Sequence, residues 1–110
     1  MWPRRNPTPD ELKSRAYLVY SEWGPDRAIP RHERLADQFP QTDDTIRAIW
    51  MADFDRVERE IWQFAESGGP RLHSYETFKK RMIAAFPFMN DDALGRAWSL
   101  ATYYPVHEGY

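Results

Sequence analysis

The chain has 110 residues, of which 42% are hydrophobic, 15% aromatic and 29% charged, a composition that predicts one soluble domain around a single core. It contains no cysteine, which excludes disulfides and thiolate metal sites, and its pI of about 5.9 argues against a domain built to clamp nucleic acid. No apolar run has the length of a signal peptide or a membrane span, so we predict a cytoplasmic protein that does not enter a membrane.

Charge is unevenly distributed along the chain. Residues 1–34 carry seven basic and five acidic side chains, residues 35–66 carry three and eight, and residues 67–110 carry five and four. Because opposite charges favour association, the acidic middle predicts a surface that attracts a basic region on a partner.

The first seven residues contain Pro and Arg without periodicity and are predicted to form a flexible arm, 1–7. A helix is predicted over 9–23, because Thr8 can cap its first turn, Pro9 suits its first position and Glu11 completes a capping box. The apolar spacing places these residues of the helix inward: Leu12, Ala16, Val19, Tyr20 and Trp23.

The second helix is predicted over 30–39. Pro30 suits its first position, and Pro40 ends it because proline has no amide hydrogen to continue the ladder. Its expected inward residues are Leu35, Ala36 and Phe39.

The third helix is predicted over 43–66, with Thr42 as its cap and two carboxylates in its first turn. Its apolar residues recur at spacings of three and four: Ile46, Trp50, Phe54, Val57, Ile61 and Phe64. This periodicity favours one unbroken helix. The stretch Asp53-Phe54-Asp55 leaves open a turn between two shorter helices, since Asp tolerates turn conformations.

The fourth helix is predicted over 75–86, after the break Ser67-Gly68-Gly69-Pro70 and with Ser74 as its cap. Its expected inward residues are Phe78, Met82, Ile83 and Phe86.

The fifth helix is predicted over 91–104, with Asn90 as its cap and with Pro105 ending it before a short tail, 106–110. Its expected inward residues are Leu94, Ala97, Trp98 and Ala101. No segment alternates with period two over the length of a strand. We therefore predict an all-α fold, a compact bundle of five helices in one domain over 8–105.

The stretch from Phe39 to Trp50 is echoed by the stretch from Phe86 to Trp98. In both, Phe-Pro closes one helix and a cap residue followed by Asp-Asp opens the next, with the two tryptophans 48 residues apart. This echo is typical of a tandem helix-hairpin repeat. Coincidence between two ordinary helix starts explains it equally well, and both interpretations stay open.

The segment Leu35-Ala36-Asp37-Gln38-Phe39-Pro40, followed by Ile46-Arg47, Val57-Glu58 and Ile61, resembles the CUE branch of UBA-like three-helix domains. The resemblance covers residues 35–65, with a partial second copy over 82–101. It implies a three-helix arrangement with a turn at Asp53–Asp55. Gln38 and Phe64-Ala65 stand where the family has the Met and the Leu-Leu that contact ubiquitin, so the resemblance implies the fold and not ubiquitin binding.

A second resemblance is to helix-turn-helix domains, carried by Arg34-Leu35-Ala36 and Thr45-Ile46-Arg47. It implies that the third helix enters the major groove of DNA. Asp43 and Asp44 would then face phosphates, which is electrostatically unfavourable. On this alternative the DNA-binding residues are Arg31, Arg34, Thr42, Thr45 and Arg47.

Signals for chemistry are absent or weak. The three histidines are scattered one to a segment, at 32, 73 and 107, and the acidic residues between 43 and 58 lack the glycine and the spacing of a calcium loop. The chain contains neither a glycine-rich phosphate loop nor a Gly-x-Ser-x-Gly motif. We therefore predict a protein that is not an enzyme, with no catalytic residues, metal, cofactor or small-molecule substrate.

Aromatic residues off the inward stripes are candidates for exposed interface anchors, with a wide aromatic core as the alternative. They are Trp2, Tyr17, Trp62, Tyr103, Tyr104 and Tyr110.

Taken together, these features predict a helical binding module that engages a protein partner, as an adaptor, an inhibitor or a small subunit of a larger assembly. The alternative is a DNA-binding protein such as a small phage- or plasmid-type regulator or a DNA-packaging subunit, and homo-oligomers are left open. The predicted protein-binding surface is acidic and aromatic, and consists of Phe39, Pro40, Gln41, Asp43, Asp44, Met51, Asp55, Glu58 and Trp62.

Overall fold

The structure, a computed structural model, describes residues 7–22 and 28–107, with side chains described as far as residue 103. Within these ranges it is an all-α bundle without strands, as predicted. The helices are α1 (Pro9–Tyr20), α2 (Arg31–Gln38), α3 (Asp44–Glu66), α4 (Tyr75–Ala85) and α5 (Asp91–His107), and a short 3₁₀ helix spans Gly69–Arg71.

Side-chain caps open the helices much as the sequence indicates. Thr8 accepts a hydrogen bond from the Glu11 amide, and Ser74 and Asn90 cap α4 and α5 in the same way. At α3 the cap is Asp43, which accepts from the amide of Ile46 at 2.8 Å. The prediction of Thr42 as cap was wrong by one residue, because the Thr42 hydroxyl instead donates to the Phe39 carbonyl within the preceding turn.

Two helix ends differ from the predictions. α1 ends at Tyr20, three residues before the predicted end at 23. There the side chains of Arg34 and Arg96 donate hydrogen bonds to the carbonyls of Val19 and Leu18, which lack partners within the helix. α5 continues to His107, so the prediction that Pro105 ends it was wrong. A proline removes one backbone hydrogen bond but does not forbid helical dihedral angles.

The helix α3 is the central helix of the bundle, and it is continuous through Asp53–Asp55. The turn that a CUE-like three-helix arrangement needs there is not formed. Each of the two aspartates bonds a residue of α1: Asp53 pairs with Lys13, and Asp55 accepts from the Tyr20 hydroxyl. Contacts with α1 thus fix the stretch of α3 that could have formed a turn.

The core is an aromatic cluster centred on Phe54, which is fully buried. Its ring lies 5.6 Å from that of Tyr17, 5.2 Å from that of Tyr20 and 5.9 Å from that of Phe88, measured between centroids. Aromatic pairs at these separations add to the stabilisation from burial alone. The α3 stripe from Trp50 to Phe64 is buried as predicted.

Two expectations about burial were wrong, and one open alternative is decided. Tyr17, a candidate either for an exposed anchor or for a wide aromatic core, is fully buried because α1 packs across α3 at Phe54 with the face that carries Tyr17 and Tyr20. Ile46 and Ile83, expected inward, are 41% and 39% exposed. Ile46 lies one turn before Trp50, the first residue at which α3 is buried.

Outside the described residues lie Trp2, Trp23 and Tyr110, the side chain of Tyr104, most of the predicted arm 1–7 and the end of the predicted tail 106–110.

The two copies of the sequence echo make different contacts. Trp50 packs edge-on against Phe39, at 5.5 Å between ring centroids, whereas its counterpart Trp98 packs against Tyr75 and Phe78. The tandem repeat therefore stays a prediction.

A buried serine joins α1 to the turn before α5. The Ser14 hydroxyl donates to the Phe88 carbonyl at 2.8 Å and accepts from the Asn90 amide at 3.1 Å. Replacing Ser14 with alanine leaves both backbone groups without this partner, so we expect the free energy of unfolding to fall by about 1–3 kcal/mol. Urea denaturation measures the loss. Ser99→Ala, at an exposed position of α5, is the control and should change stability by less than about 0.5 kcal/mol; equal effects of the two changes would contradict this role.

Candidate functional site

Three of the six carboxylates of α3, the helix that the sequence suggests as an acidic surface, pair with cations from other elements. Glu58 accepts from Arg31 at 2.9 Å and Glu60 pairs with Arg81 at 2.9 Å. Asp53 pairs with Lys13 of α1 and with Arg56 of α3 itself. Pairing neutralises much of the negative charge of this helix, so its central part offers a weaker acidic surface than the sequence predicts.

Tyr20 lies at the centre of one of these polar clusters. Its hydroxyl donates to Asp55, and the Arg31 guanidinium lies 4.1 Å from its ring centroid. Burial is the main cause that raises the pKa of Tyr20 above its ordinary value, followed by the hydrogen bond to Asp55 and the negative charge of Glu58. Asp55 and Glu58, both predicted to bind a partner, are thereby engaged within the fold.

The raised pKa of Tyr20 gives stability a defined dependence on alkaline pH. The unfolded chain releases this proton near pH 10 while the folded chain retains it, so the contribution is complete below about pH 10 and is lost as pH rises further. We expect the urea midpoint of the wild type to fall more steeply between pH 9 and 11 than that of Tyr20→Phe. Parallel curves for the two proteins would contradict the buried hydrogen bond.

The arginines proposed as DNA contacts on the helix-turn-helix alternative bond other parts of the fold. Arg34 is only 6% exposed and donates to the carbonyls of Val19 and Glu22 at the end of α1, so it is not available to a phosphate. The Arg47 guanidinium donates to the carbonyl and hydroxyl of Thr42 and also pairs with Asp44. Of the five residues proposed to bind DNA, four make bonds within the fold: Arg31, Arg34, Thr42 and Arg47. The fifth, Thr45, is exposed and has no such bond within the described structure.

The Phe39-Pro40 corner is only partly open. Phe39, predicted to contact a partner, is 6% exposed because its ring packs on Trp50. Pro40 and Gln41 are exposed, and so is Asp43, whose carboxylate caps α3. The corner thus contributes one apolar and two polar residues to the surface.

A groove runs between α2 and the beginning of α3. It has a volume of about 300 Å³, which lies at the lower end of the range for small-molecule sites. Its apolar lining is Ala36, Ala48 and Met51, and its polar lining is His32, Glu33, Asp44 and Arg47. We call these seven residues the α2–α3 groove; Asp44 and Met51 are the predicted partner-binding residues that it contains.

An uncharged face lies beside this groove on the first turns of α3. Ile49 is 56% exposed and Ile46 is 41% exposed, and the other exposed residues within 45–52 are small and uncharged. We call this surface the isoleucine face; it consists of Thr45, Ile46, Ala48, Ile49 and Ala52. Ala48 belongs to both surfaces, so the groove and the face are continuous.

Sequence analysis missed the isoleucine face. Ile46 fits the apolar stripe of α3, which predicts it in the core, while Ile49 lies off that stripe and no prediction covers it. Its signal was present in the sequence, since Ile49 follows Ile46 by three residues and only Arg47 among residues 45–52 is charged. The predicted residue Trp62, half-buried, lies about 17 Å beyond Met51 along the axis of α3 and takes no part in this surface.

No group of three or more His, Asp or Glu side chains in the described ranges is placed to hold a metal ion. None of the helices in the described part of the chain combines the length and the apolar character needed to cross a membrane.

No protein-family model, curated protein or solved structure matches the chain.

Proposed function

We propose that the chain is a non-enzymatic helical binding module that engages a protein partner through the α2–α3 groove and the isoleucine face. The observation that carries this proposal is the exposure of Ile46 and Ile49, 41% and 56%, on a stretch of helix, 45–52, whose other exposed residues are uncharged. Single exposed apolar residues are ordinary in monomeric proteins, whereas a contiguous apolar face next to a groove is typical of an interaction site.

The surface has the composition of a protein interface. Its centre is apolar and uncharged, and charged or polar groups lie around it at Glu33, Asp44 and Gln41. An apolar centre with a polar rim is the arrangement found in protein–protein interfaces, where desolvation of the centre supplies most of the affinity. Docking on a helix end of this kind suits an adaptor, an inhibitor or a small subunit of a larger assembly.

The helix-turn-helix alternative draws less support from the same residues. A recognition helix needs cations and hydrogen-bond donors near its beginning, to reach phosphates and base edges. Here Asp43 caps α3 and Asp44 lies in its first turn, and the nearby Arg47 is bonded to Thr42 and Asp44. The apolar Ile46 and Ile49 would face DNA without a matching contact.

An unbiased selection tests the proposal. A library of random peptides displayed on phage is selected against the purified full chain, and the enriched peptides are then titrated against two variants. Ala52→Arg places a charge on the isoleucine face, and Ala84→Arg places the same charge on an exposed position of α4. We expect enriched peptides that lose at least about tenfold in affinity for Ala52→Arg and bind Ala84→Arg like the wild type.

Two results would overturn the proposal. One is a selection that yields no peptide sensitive to Ala52→Arg. The other is saturable binding of random duplex DNA that weakens steeply with salt and is lost in Ala52→Glu, which would assign the surface to DNA.

A further inference from the structure

We infer that the partner presents an amphipathic α-helix with basic residues beside its apolar stripe, and that this helix lies across the α2–α3 groove and the isoleucine face. The inference rests on the proposed function and specifies the partner's chemistry.

The type of surface favours a helix over an extended peptide. Recognition of a strand by main-chain pairing needs the open edge of a sheet, and the described ranges 7–22 and 28–107 contain no strand. Proline-rich segments dock in grooves lined by aromatic rings, and the lining of the α2–α3 groove contains none. A groove between two helices remains the typical seat of a third helix.

The shape of the surface gives the register of such a helix. Ala48 and Ala52 are four residues apart, so they lie one above the other and form a low ridge on α3. On one side of the ridge is the groove with Met51, and on the other side is Ile49. A helix passing over the two alanines can come close and place apolar side chains, three or four residues apart, on both sides of the ridge.

Charge around the surface indicates basic flanks. Glu33 and Asp44 border the groove, and the Asp44 side chain is 99% exposed. Its paired cation, Arg47, is only 16% exposed and also donates to Thr42, so the Asp44 carboxylate is the more exposed member of the pair. Carboxylates at the rim attract Lys or Arg beside the apolar stripe and repel Asp or Glu there.

The same charges argue against a second copy of this chain as the occupant. Two such surfaces face to face would each carry Glu33 and Asp44, and the arginine in their lining, Arg47, is only 16% exposed and already paired with Asp44. The helix α4 carries three consecutive cations, 79–81, but Phe78 and Met82 of its apolar stripe are fully buried in the core. No described helix of the chain offers both a free apolar stripe and basic flanks, so the partner is a different protein.

Two synthetic peptides test this inference. Both carry the same leucine stripe at helical spacing and a fluorescent label; one has Lys at the flanking positions and the other has Glu. Fluorescence anisotropy with the full chain should give an affinity on the order of tenfold higher for the Lys peptide, with the difference shrinking at high salt. Circular dichroism should show that the Lys peptide gains helix on binding.

A pair of isosteric variants locates the charge effect. Glu33→Gln with Asp44→Asn should weaken binding of the Lys peptide about fivefold. The matched control is Glu76→Gln with Asp92→Asn, since these exposed carboxylates occupy the first turns of α4 and α5 as the others occupy those of α2 and α3. The control should bind like the wild type.

Equal or tighter binding of the Glu peptide, or full affinity in the Glu33 and Asp44 double variant, would overturn the inference. These outcomes are distinct from failure of the proposed function. A phage selection whose peptides depend on Ala52 but are acidic or non-helical leaves the function standing and removes the basic helix, whereas a selection with no such peptides removes both.

Discussion

Replacing Phe54 with alanine is expected to lower the free energy of unfolding by about 3–5 kcal/mol. The side chain is fully buried, and its ring contacts those of Tyr17, Tyr20 and Phe88, so the change removes apolar burial and leaves a cavity where α1 crosses α3. A loss of this size is a large part of the total stability of a small domain, so the variant is expected to unfold at much lower urea. Urea denaturation followed by circular dichroism measures it.

The control for this change is Ile46→Ala, on the same helix but 41% exposed. Because Ile46 precedes the buried part of α3, its truncation should cost less than about 1 kcal/mol. Similar losses at the two positions would contradict the assignment of Phe54 as the centre of the core and of the isoleucine face as surface.

Replacing Ile49 with aspartate is expected to weaken the binding of peptides selected against this surface by at least about tenfold. Ile49 is the most exposed residue of the isoleucine face that is also large and apolar, and burying an unpaired carboxylate against an apolar ligand is strongly unfavourable. Fold stability should change by less than about 1 kcal/mol, because the side chain makes little contribution to the core. Titration by fluorescence anisotropy and urea denaturation measure the two effects separately.

The control is Ile83→Asp, which makes the same chemical change at an isoleucine of α4 that is 39% exposed. It should leave peptide affinity unchanged. Equal loss in both variants would mean that binding follows general surface hydrophobicity, and no loss in Ile49→Asp would remove the isoleucine face as the site.

The helices were predictable because their signals are local. A cap such as Thr8 or Ser74, followed by apolar residues at spacings of three and four, contains most of what determines where a helix begins and which face is buried. The continuity of α3 followed from the same periodicity. Such signals depend on a few neighbouring residues, so they can be interpreted without knowledge of the tertiary structure.

The errors, and the alternatives that the sequence left open, arose where distant elements decide the outcome. Tyr17 is buried because α3 crosses α1 at that turn, and Ile46 is exposed because no helix covers the beginning of α3 to the same extent as its middle. Arg34 is buried because the end of α1 presents carbonyls to it. Amphipathic spacing indicates a face but does not say which neighbour packs on it or where along the helix the packing begins.

The candidate site was partly predictable for the same reason. Asp44 and Met51 were singled out and do line the α2–α3 groove. The acidic surface expected along α3 was overestimated, because Arg31 and Arg81 pair with Glu58 and Glu60 across 27 and 21 residues of sequence. Pairings over such separations depend on the fold, and a count of charges along the chain does not contain them.

The central claim is that the surface formed by the α2–α3 groove and the isoleucine face is where the protein binds its partner. The most direct measurement is an NMR titration of the ¹⁵N-labelled full chain with a peptide enriched in the phage selection. The account predicts that the largest amide shifts fall at residues 32–36 and 45–52, with α4 and α5 nearly unchanged. Shifts centred on 75–85 or 91–103 would contradict it and place the binding site on the opposite elements of the bundle.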